Sequence, residues 1–281
     1  MAEGTAGAPT GAHALRLHIL GSGSKGNCAL VEGPNGLIMI DCGLSRRETL
    51  MRMSALGLDE HDIRALILTH EHTDHIAGIE VWAKHFDGEL YASTGTAASK
   101  EKLSRLPFRT FEPGDELAIA GVTVGTFPTA HDAADPAGFR FEHEGDAIGY
   151  ATDTGHLTSG ALELLAGARI LAIESNHDVH MLKTGGYPRM LQERILSDAG
   201  HLSNGQAAEA LPSLVTDRTE QVIAMHISQE NNRPTLAVRT LAESLGATLD
   251  DEIGSSATLE RAGAPGLHIR PASQVAPMSV C

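Results

Sequence analysis

Short apolar runs separated by glycine-rich turns open the chain. Leu15 to Leu20 reads as a strand that runs into the turn Gly21-Ser22-Gly23-Ser24-Lys25-Gly26. Asn27–Glu32 and Leu37–Asp41 are two further strands, and Gly33-Pro34-Asn35-Gly36 between them is a hairpin signal. The period then changes. Leu50, Met53 and Leu56 recur at helical spacing, which predicts a helix over 46–56 with Gly57 as its C′ residue. Arg64–Thr69 is strand-like and empties into a histidine-rich loop, after which Ile76, Ile79, Trp82 and Phe86 share one helical face. That spacing reads Trp82 as a core residue.

The second half has the same texture without an alignable repeat. Strands are predicted at Glu116–Ile119, Val122–Phe127, Gly138–Glu142, Ala147–Thr152, Ile170–Glu174 and Val222–Met225. Helices are predicted at Ser159–Leu165, Pro188–Ser197, Ser203–Leu211 and Pro234–Leu245. Ser203 and Gln206 form a capping-box pattern, so His201 stands just before a helix start. Strands in runs, with helices between and after them, predict an α/β sandwich of two sheets with helices outside. Residues 1–13 and 263–281 lack periodicity and read as a disordered N-terminus and a flexible C-terminal tail, leaving 14–262 as one domain.

Composition narrows the function classes. Hydrophobic residues make up 42% of 281 and charged residues 20%, enough apolar content for a sizeable core. No run approaches the ~18 apolar residues of a membrane span, and Met1 to Thr10 carry no signal-peptide pattern. Three cysteines cannot make a disulfide framework. Cys28 reads as an inert buried thiol, and the expected compartment is the cytoplasm. A net charge of −15 excludes a protein that coats nucleic acid through a broad basic surface. It leaves open an enzyme that meets phosphate at bound metal ions.

Fifteen histidines are the stronger signal, and their densest group is Thr69-His70-Glu71-His72-Thr73-Asp74-His75. Divalent metals of the zinc type take imidazole and carboxylate ligands. His70, His72, Asp74 and His75 supply four such groups within six residues at the mouth of an apolar strand. In extended chain His70 and His72 point the same way, and Asp74 and His75 begin a turn that can face a second ion.

This segment resembles the HxHxDH signature of the metallo-β-lactamase superfamily. Downstream, each after a predicted strand, follow His131 in Thr129-Ala130-His131-Asp132, Asp153 in Thr152-Asp153-Thr154-Gly155 and His226 in Ala224-Met225-His226-Ile227. The resemblance implies a four-layer αββα sandwich. It implies two divalent ions per chain, zinc or manganese, one held by His70, His72 and His131 and the other by Asp74, His75 and His226, with Asp153 bridging. Gly21-Ser22-Gly23-Ser24, Gly26-Asn27, His131 to Pro136, Glu174 to Asp178, Gly200 to Asn204 and Glu230-Asn231-Asn232 are similar to the YycJ/WalJ-type hydrolases over roughly 15–245. That branch implies a metal-dependent nuclease, a DNA exonuclease activity among those proposed for it. It also implies that nucleic acid is a transient substrate partner rather than a stable one. The layout further resembles the tRNA 3′-processing enzymes, whose carboxylate and histidine flanking the scissile phosphate correspond to Glu174 and His201. Three departures stand out: no inserted cap domain, no flexible arm, and Cys42 where Asp-x-Gly usually carries a small residue.

The chemistry expected of this set is hydrolysis by a hydroxide bridging two metals about 3.5–4 Å apart. Asp74 orients that hydroxide, and His201, oriented by Glu174, protonates the leaving oxygen. His201 also reads as a plain helix-entry residue, and Glu174 as a strand-end carboxylate. A thioester or lactone hydrolase of the glyoxalase II kind shares the same metal set. A regulatory protein using metal only for folding is a third reading. Gly21–Gly26 lacks the P-loop order and is either a backbone wall with Ser24 or Lys25 reaching substrate or a tight turn needing positive φ. His177, Asp178, Asn231 and Asn232 could support the site or merely shape loops.

Overall fold

The computed structural model describes residues 15–281, so the expectation for residues 1–13 lies outside the described residues. The first half supplies β1 (Arg16–Gly21), β2 (Cys28–Gly33), β3 (Gly36–Ile40), β4 (Ile63–Ile67), β5 (Glu89–Ser93) and β6 (Phe108–Phe111). The second half supplies β7 (Glu116–Ile119), β8 (Val122–Pro128), β9 (Ala137–His143), β10 (Asp146–Ala151), β11 (Ile170–Glu174), β12 (Gln221–Met225), β13 (Thr248–Leu249), β14 (Ala257–Leu259), β15 (Leu267–Pro271) and β16 (Met278–Val280). They form two sheets, ordered β16-β1-β2-β3-β4-β5-β6 and β13-β14-β15-β12-β11-β10-β9-β8-β7. Antiparallel hairpins begin each sheet, and parallel strands follow at β3–β6 and at β10–β11–β12–β15.

Strands buried on both faces explain why the sequence reads as unbroken apolar runs. On β3, Ile38 and Ile40 face the second sheet while Leu37 and Met39 face helices. On β12, Ile223 and Met225 face inward and Val222 and Ala224 outward. The helices cover the outer faces: α1 (Arg46–Ala55), α2 (Thr73–Ile76), α3 (Ile79–Ala83), α4 (Thr94–Ser99) and α5 (Glu101–Ser104) accompany the first sheet. In the second half lie α6 (Ser159–Leu165), α7 (Val179–Thr184), α8 (Arg189–Ile195), α9 (Asn204–Leu214) and α10 (Pro234–Leu245), with α6, α9 and α10 packed on the second sheet. The result is the four-layer αββα sandwich.

The expected helical face Ile76–Phe86 is two short helices. The break at Gly78 has a steric cause: its N–H donates to the Cys42 carbonyl at 2.8 Å, and a Cβ there would stand 2.3 Å from the Leu44 carbonyl. Ile76, Ile79 and Trp82 are nonetheless buried, as the spacing predicts.

The C-terminal reading needs a larger correction. Residues 263–281 are not a flexible tail. β15 lies between β14 and β12, and β16 pairs antiparallel with β1 at the edge of the other sheet. Leu267–Pro271 and Met278–Val280 therefore belong to the two sheets. Leu267, Ile269 and Val280 are fully buried; at about 1.5–3 kcal/mol each they contribute roughly 5–9 kcal/mol, comparable with a typical net stability of ~5–15 kcal/mol. Deleting 263–281 is expected to leave no cooperatively folding protein. A thermal melt within a few degrees of the full chain would show that these strands are dispensable.

Candidate metal centre

The site lies where the strands of both sheets end. After β4 the chain passes through His70 and Glu71 to His72, whose backbone is extended, and α2 begins at Thr73. Side chains alternate there: the His70 and His72 rings are 4.6 Å apart, while Glu71 turns away and accepts from the Ala134 N–H. Asp74 and His75 fall in the short helical turn. His131 follows β8, Asp153 follows β10, Glu174 ends β11 and His226 follows β12. Among the described residues, five non-glycine residues have positive φ. Ala120 and Glu144 are hairpin-turn residues, but Asp41, Asp153 and His226 (φ 57°, 55° and 52°) all sit just past strands at this site. Such backbone costs about 1–3 kcal/mol per residue and collects at functional sites.

Among the described residues the donors fall into four overlapping groups, two of them His70, His75 and Asp153, and Asp153, Glu174, His201 and His226. His70, His72 and His131 bring one ligand atom each within 4.8 Å of one another, and so do Asp74, His75 and His226. His72 Nδ1 is 3.2 Å from His131 Nε2, and Asp74 Oδ2 is 3.6 Å from His226 Nε2 and 3.7 Å from His75 Nε2. Asp153 reaches both of these sets: its Oδ2 is 3.3 Å from His75 Nε2 and its Oδ1 3.9 Å from His131 Nε2. Three of the buried atoms, His70 Nε2, Asp153 Oδ2 and His226 Nε2, have no hydrogen-bond partner. Buried polar atoms are normally paired, so these orphaned donors fit a cation, and N/O donors of this kind suit a divalent one.

Neighbours fix the ring orientations. His75 Nδ1–H donates to Asp41 Oδ2 at 2.7 Å, which turns its Nε2 toward Asp74 and Asp153. Asp41 also accepts from the Thr69 N–H and hydroxyl. His131 Nδ1–H donates to the Gly200 carbonyl, and His72 Nε2–H to the Asp132 carbonyl. Asn27 Nδ2 donates to Asp74 Oδ2 at 3.3 Å.

Burial alone would raise the Asp153 carboxyl, but His226 and His75 outweigh it and hold the group well below the usual carboxylate range. Burial would lower His226; Asp153, Asp74 and Glu174 outweigh it and lift the imidazole to about 10. His75 rises likewise, against burial, beside Asp153 and Asp41. His70 is pushed well down by burial and by His75. The cleft thus holds ionised carboxylates among imidazoles, and a bound cation displaces protons from the latter.

Glu174 is buried completely. Its Oε1 accepts from His201 Nδ1 at 2.8 Å and also from His226 Nδ1 at 3.0 Å, while Oε2 accepts from the Thr154 and Leu202 N–H groups. Burial opposes its ionisation, but His201 and these bonds hold it at about 2. The expected Glu174–His201 contact is present; the share taken by His226 was not foreseen. Ser203 and Gln206 form the capping box of α9.

The remaining candidates divide. Gly23 and Gly26 take positive φ, Ser24 lines the cleft mouth, and Lys25 does not. Ser22 Oγ accepts from the His226 N–H, so this turn supports the site through its backbone and hydroxyls. Asn232 braces the Ser175 and Asn176 carbonyls, and Asp178 caps α7. His177 is buried with both ring nitrogens unpaired, and burial holds it at about 4. Cys28 is buried, and burial raises its thiol, in keeping with an inert role. The sequence places Asp41, Asn27 and Asp132 in motifs but does not show their contacts, and it does not single out Arg194. For Asp41 a signal existed, a lone acid closing an apolar strand before Cys42-Gly43.

Two facing sheets with helices outside and a histidine–aspartate cluster at their strand ends define the class: a protein of the metallo-β-lactamase fold. A solved structure, the metallo-β-lactamase fold protein YhfI from Bacillus subtilis, superposes with a TM-score of 0.65 at 14% identity, covering 95% of this chain and 99% of that one. The chain belongs to the beta-lactamase superfamily, whose domain model matches residues 37–227. It is 34% identical over 235 residues to Exodeoxyribonuclease YycJ of Bacillus anthracis, covering 82% of this chain and 89% of that protein. It is also 34% identical over 237 residues to Exodeoxyribonuclease WalJ of Streptococcus pneumoniae serotype 2, covering 82% and 88%. Among the described residues no helix is long and apolar enough to cross a membrane.

Proposed function

We propose that this chain is a metal-dependent phosphodiesterase that shortens DNA from an end, with two divalent ions, zinc or manganese, in the cluster. The observation that carries the reading is one carboxylate, Asp153, within reach of two donor groups, with the Glu174–His201 pair on the same cleft. The names of the two exodeoxyribonuclease relatives support DNA as the substrate. His70, His72 and His131 would hold one ion and Asp74, His75 and His226 the other, with Asp153 within reach of both sets. When bound, the ions lower the pKa of water and neutralise charge on the phosphate oxygens.

The chain's own groups do the rest. Asp74 lines the cleft, and burial, which opposes its ionisation, is outweighed by the His226 and His75 imidazoles. Its carboxylate therefore accepts a hydrogen bond from an attacking water and aims it. His201 gives its Nδ1–H to Glu174, which orients the ring and leaves Nε2 to carry a proton to the departing oxygen. Glu174 also holds the His226 ring.

The direct assay sets purified, metal-reconstituted protein against end-labelled DNA, end-labelled RNA and a thioester. Stepwise shortening of the DNA is expected. Turnover of the thioester alone would move the chain to the glyoxalase II-like reading. A quieter test addresses Asp41. Asp41→Asn keeps the shape and tolerates the positive φ, but removes the charge that fixes His75. Changes behind a metal-binding histidine typically cost about 10–100-fold in metal affinity. That loss is expected by competition with a chelator, with the fold intact by circular dichroism; unchanged affinity would remove Asp41 from the centre.

A further inference from the structure

The mouth above the cluster is a cavity of about 220 Å³ lined by Ser24, His72, Asp74, Asp153, His201 and His226 on one side, and on the other by Tyr187, Leu191, Arg194 and Ile195 from α8 and the residues before it. Arg194 is the only Arg or Lys among the described residues lining it. A chain of net charge −15 that takes a polyanion needs a local cation for the phosphates the metals do not meet. We propose that Arg194 grips the substrate phosphate next to the one being cleaved, and that Asp132 holds the guanidinium ready until the substrate arrives. This rests on the phosphodiesterase reading above.

The geometry suits an exchange. Arg194 Nε donates to Asp132 Oδ2 at 2.5 Å and Nη2 to Oδ1 at 2.9 Å, a two-pronged pairing. A phosphate offers the same pair of oxygens to the same planar fork. The Arg194 and Asp132 side chains are 51% and 39% exposed, and ion pairs that open to solvent contribute little, so replacing the carboxylate by a phosphate meets a small barrier. Tyr187, Leu191 and Ile195 present an apolar and aromatic wall beside the guanidinium, against which a sugar and base can lie. A single cationic contact also fits an enzyme that takes a strand end rather than coating a long duplex.

The competing role for the pair is a tether, since Asp132 follows His131 and its carbonyl holds His72. The two roles predict opposite signs. Steady-state hydrolysis of a labelled single-stranded oligodeoxynucleotide is measured for the metal-loaded full chain and for R194Q, R194K and D132N, with metal content determined for each. R194Q is expected to raise KM about ten- to hundredfold, the range of one charge-assisted contact, and R194K less, because charge remains without the fork. D132N is expected to lower KM, because the competing anion is gone. The salt dependence of affinity should lose about 0.7 of log–log slope in R194Q, the value for one phosphate contact on a single strand. A rise in KM for both R194Q and D132N, or loss of metal that accounts for the activity lost, makes the pair a tether and overturns the proposal. DNA cleavage by the unmodified chain with R194Q indistinguishable from it overturns the proposal alone. Absence of any cleavage by the unmodified chain removes the phosphodiesterase reading and this proposal together.

Discussion

Asp153→Asn is expected to abolish nearly all turnover and to leave the protein with one metal ion instead of two. Asp153 is 2% exposed, sits just past a strand end with φ 55°, and its carboxylate lies within 4 Å of His75, His131, His201 and His226. Asparagine keeps its shape and tolerates that backbone, so the change is one of charge. Two cations that share a neutral amide repel each other with no anion between them. The buried imidazoles also lose the carboxylate that holds His75 and His226 high. Elemental analysis of the variant against the unmodified chain reads the result. Two ions retained with normal turnover would end the bridging assignment.

The second large effect separates chemistry from binding. His201→Ala removes the proposed acid but none of the proposed metal ligands, so metal content should persist. General acid–base groups contribute about 10²–10⁴-fold, and a loss in that range is expected on phosphodiesters with poor leaving groups. Bis(p-nitrophenyl) phosphate, whose leaving group needs no proton, should lose far less. Glu174→Gln looks from sequence like the milder variant, since it disturbs only the orientation of His201. The structure reverses that ranking. Glu174 Oε1 accepts from His201 and from His226 together, so the amide disturbs an acid and a proposed metal ligand at once. Glu174→Gln is therefore expected to match or exceed His201→Ala and to weaken metal binding as well. Equal losses on both esters for His201→Ala would remove the acid role.

The candidate cluster was largely legible in the sequence because its histidine and aspartate donors sit at the ends of strands that are apolar on both faces. Those strands announce themselves, and a histidine or aspartate just past one is conspicuous, as His70, Asp153 and His226 are. Residues acting through others were not. Asp41 reaches His75 only because β3 and β4 are parallel neighbours, and no local spacing encodes that. The same holds for Asp132 and Arg194, 62 positions apart.

The fold's end failed to show for a related reason. β15 is Leu-His-Ile-Arg-Pro and β16 only Met-Ser-Val, each short and half polar. β16 finds its partner β1 across nearly the whole chain, Leu17 opposite Val280. Such strands are defined by the sheet edges that receive them, and their own composition resembles a loop. β6, Phe108–Phe111, escaped notice likewise as a short edge strand with exposed Arg109 and Thr110.

We propose that the Asp153 cluster, loaded with two ions, supports hydrolysis of DNA phosphodiester bonds. The most direct test is a titration of metal-free protein with zinc or manganese while nucleotide release from end-labelled DNA is followed. Activity is expected to keep rising until two equivalents are bound and then to level off. Full activity at one equivalent, or no nucleotide release at any metal loading, would contradict it.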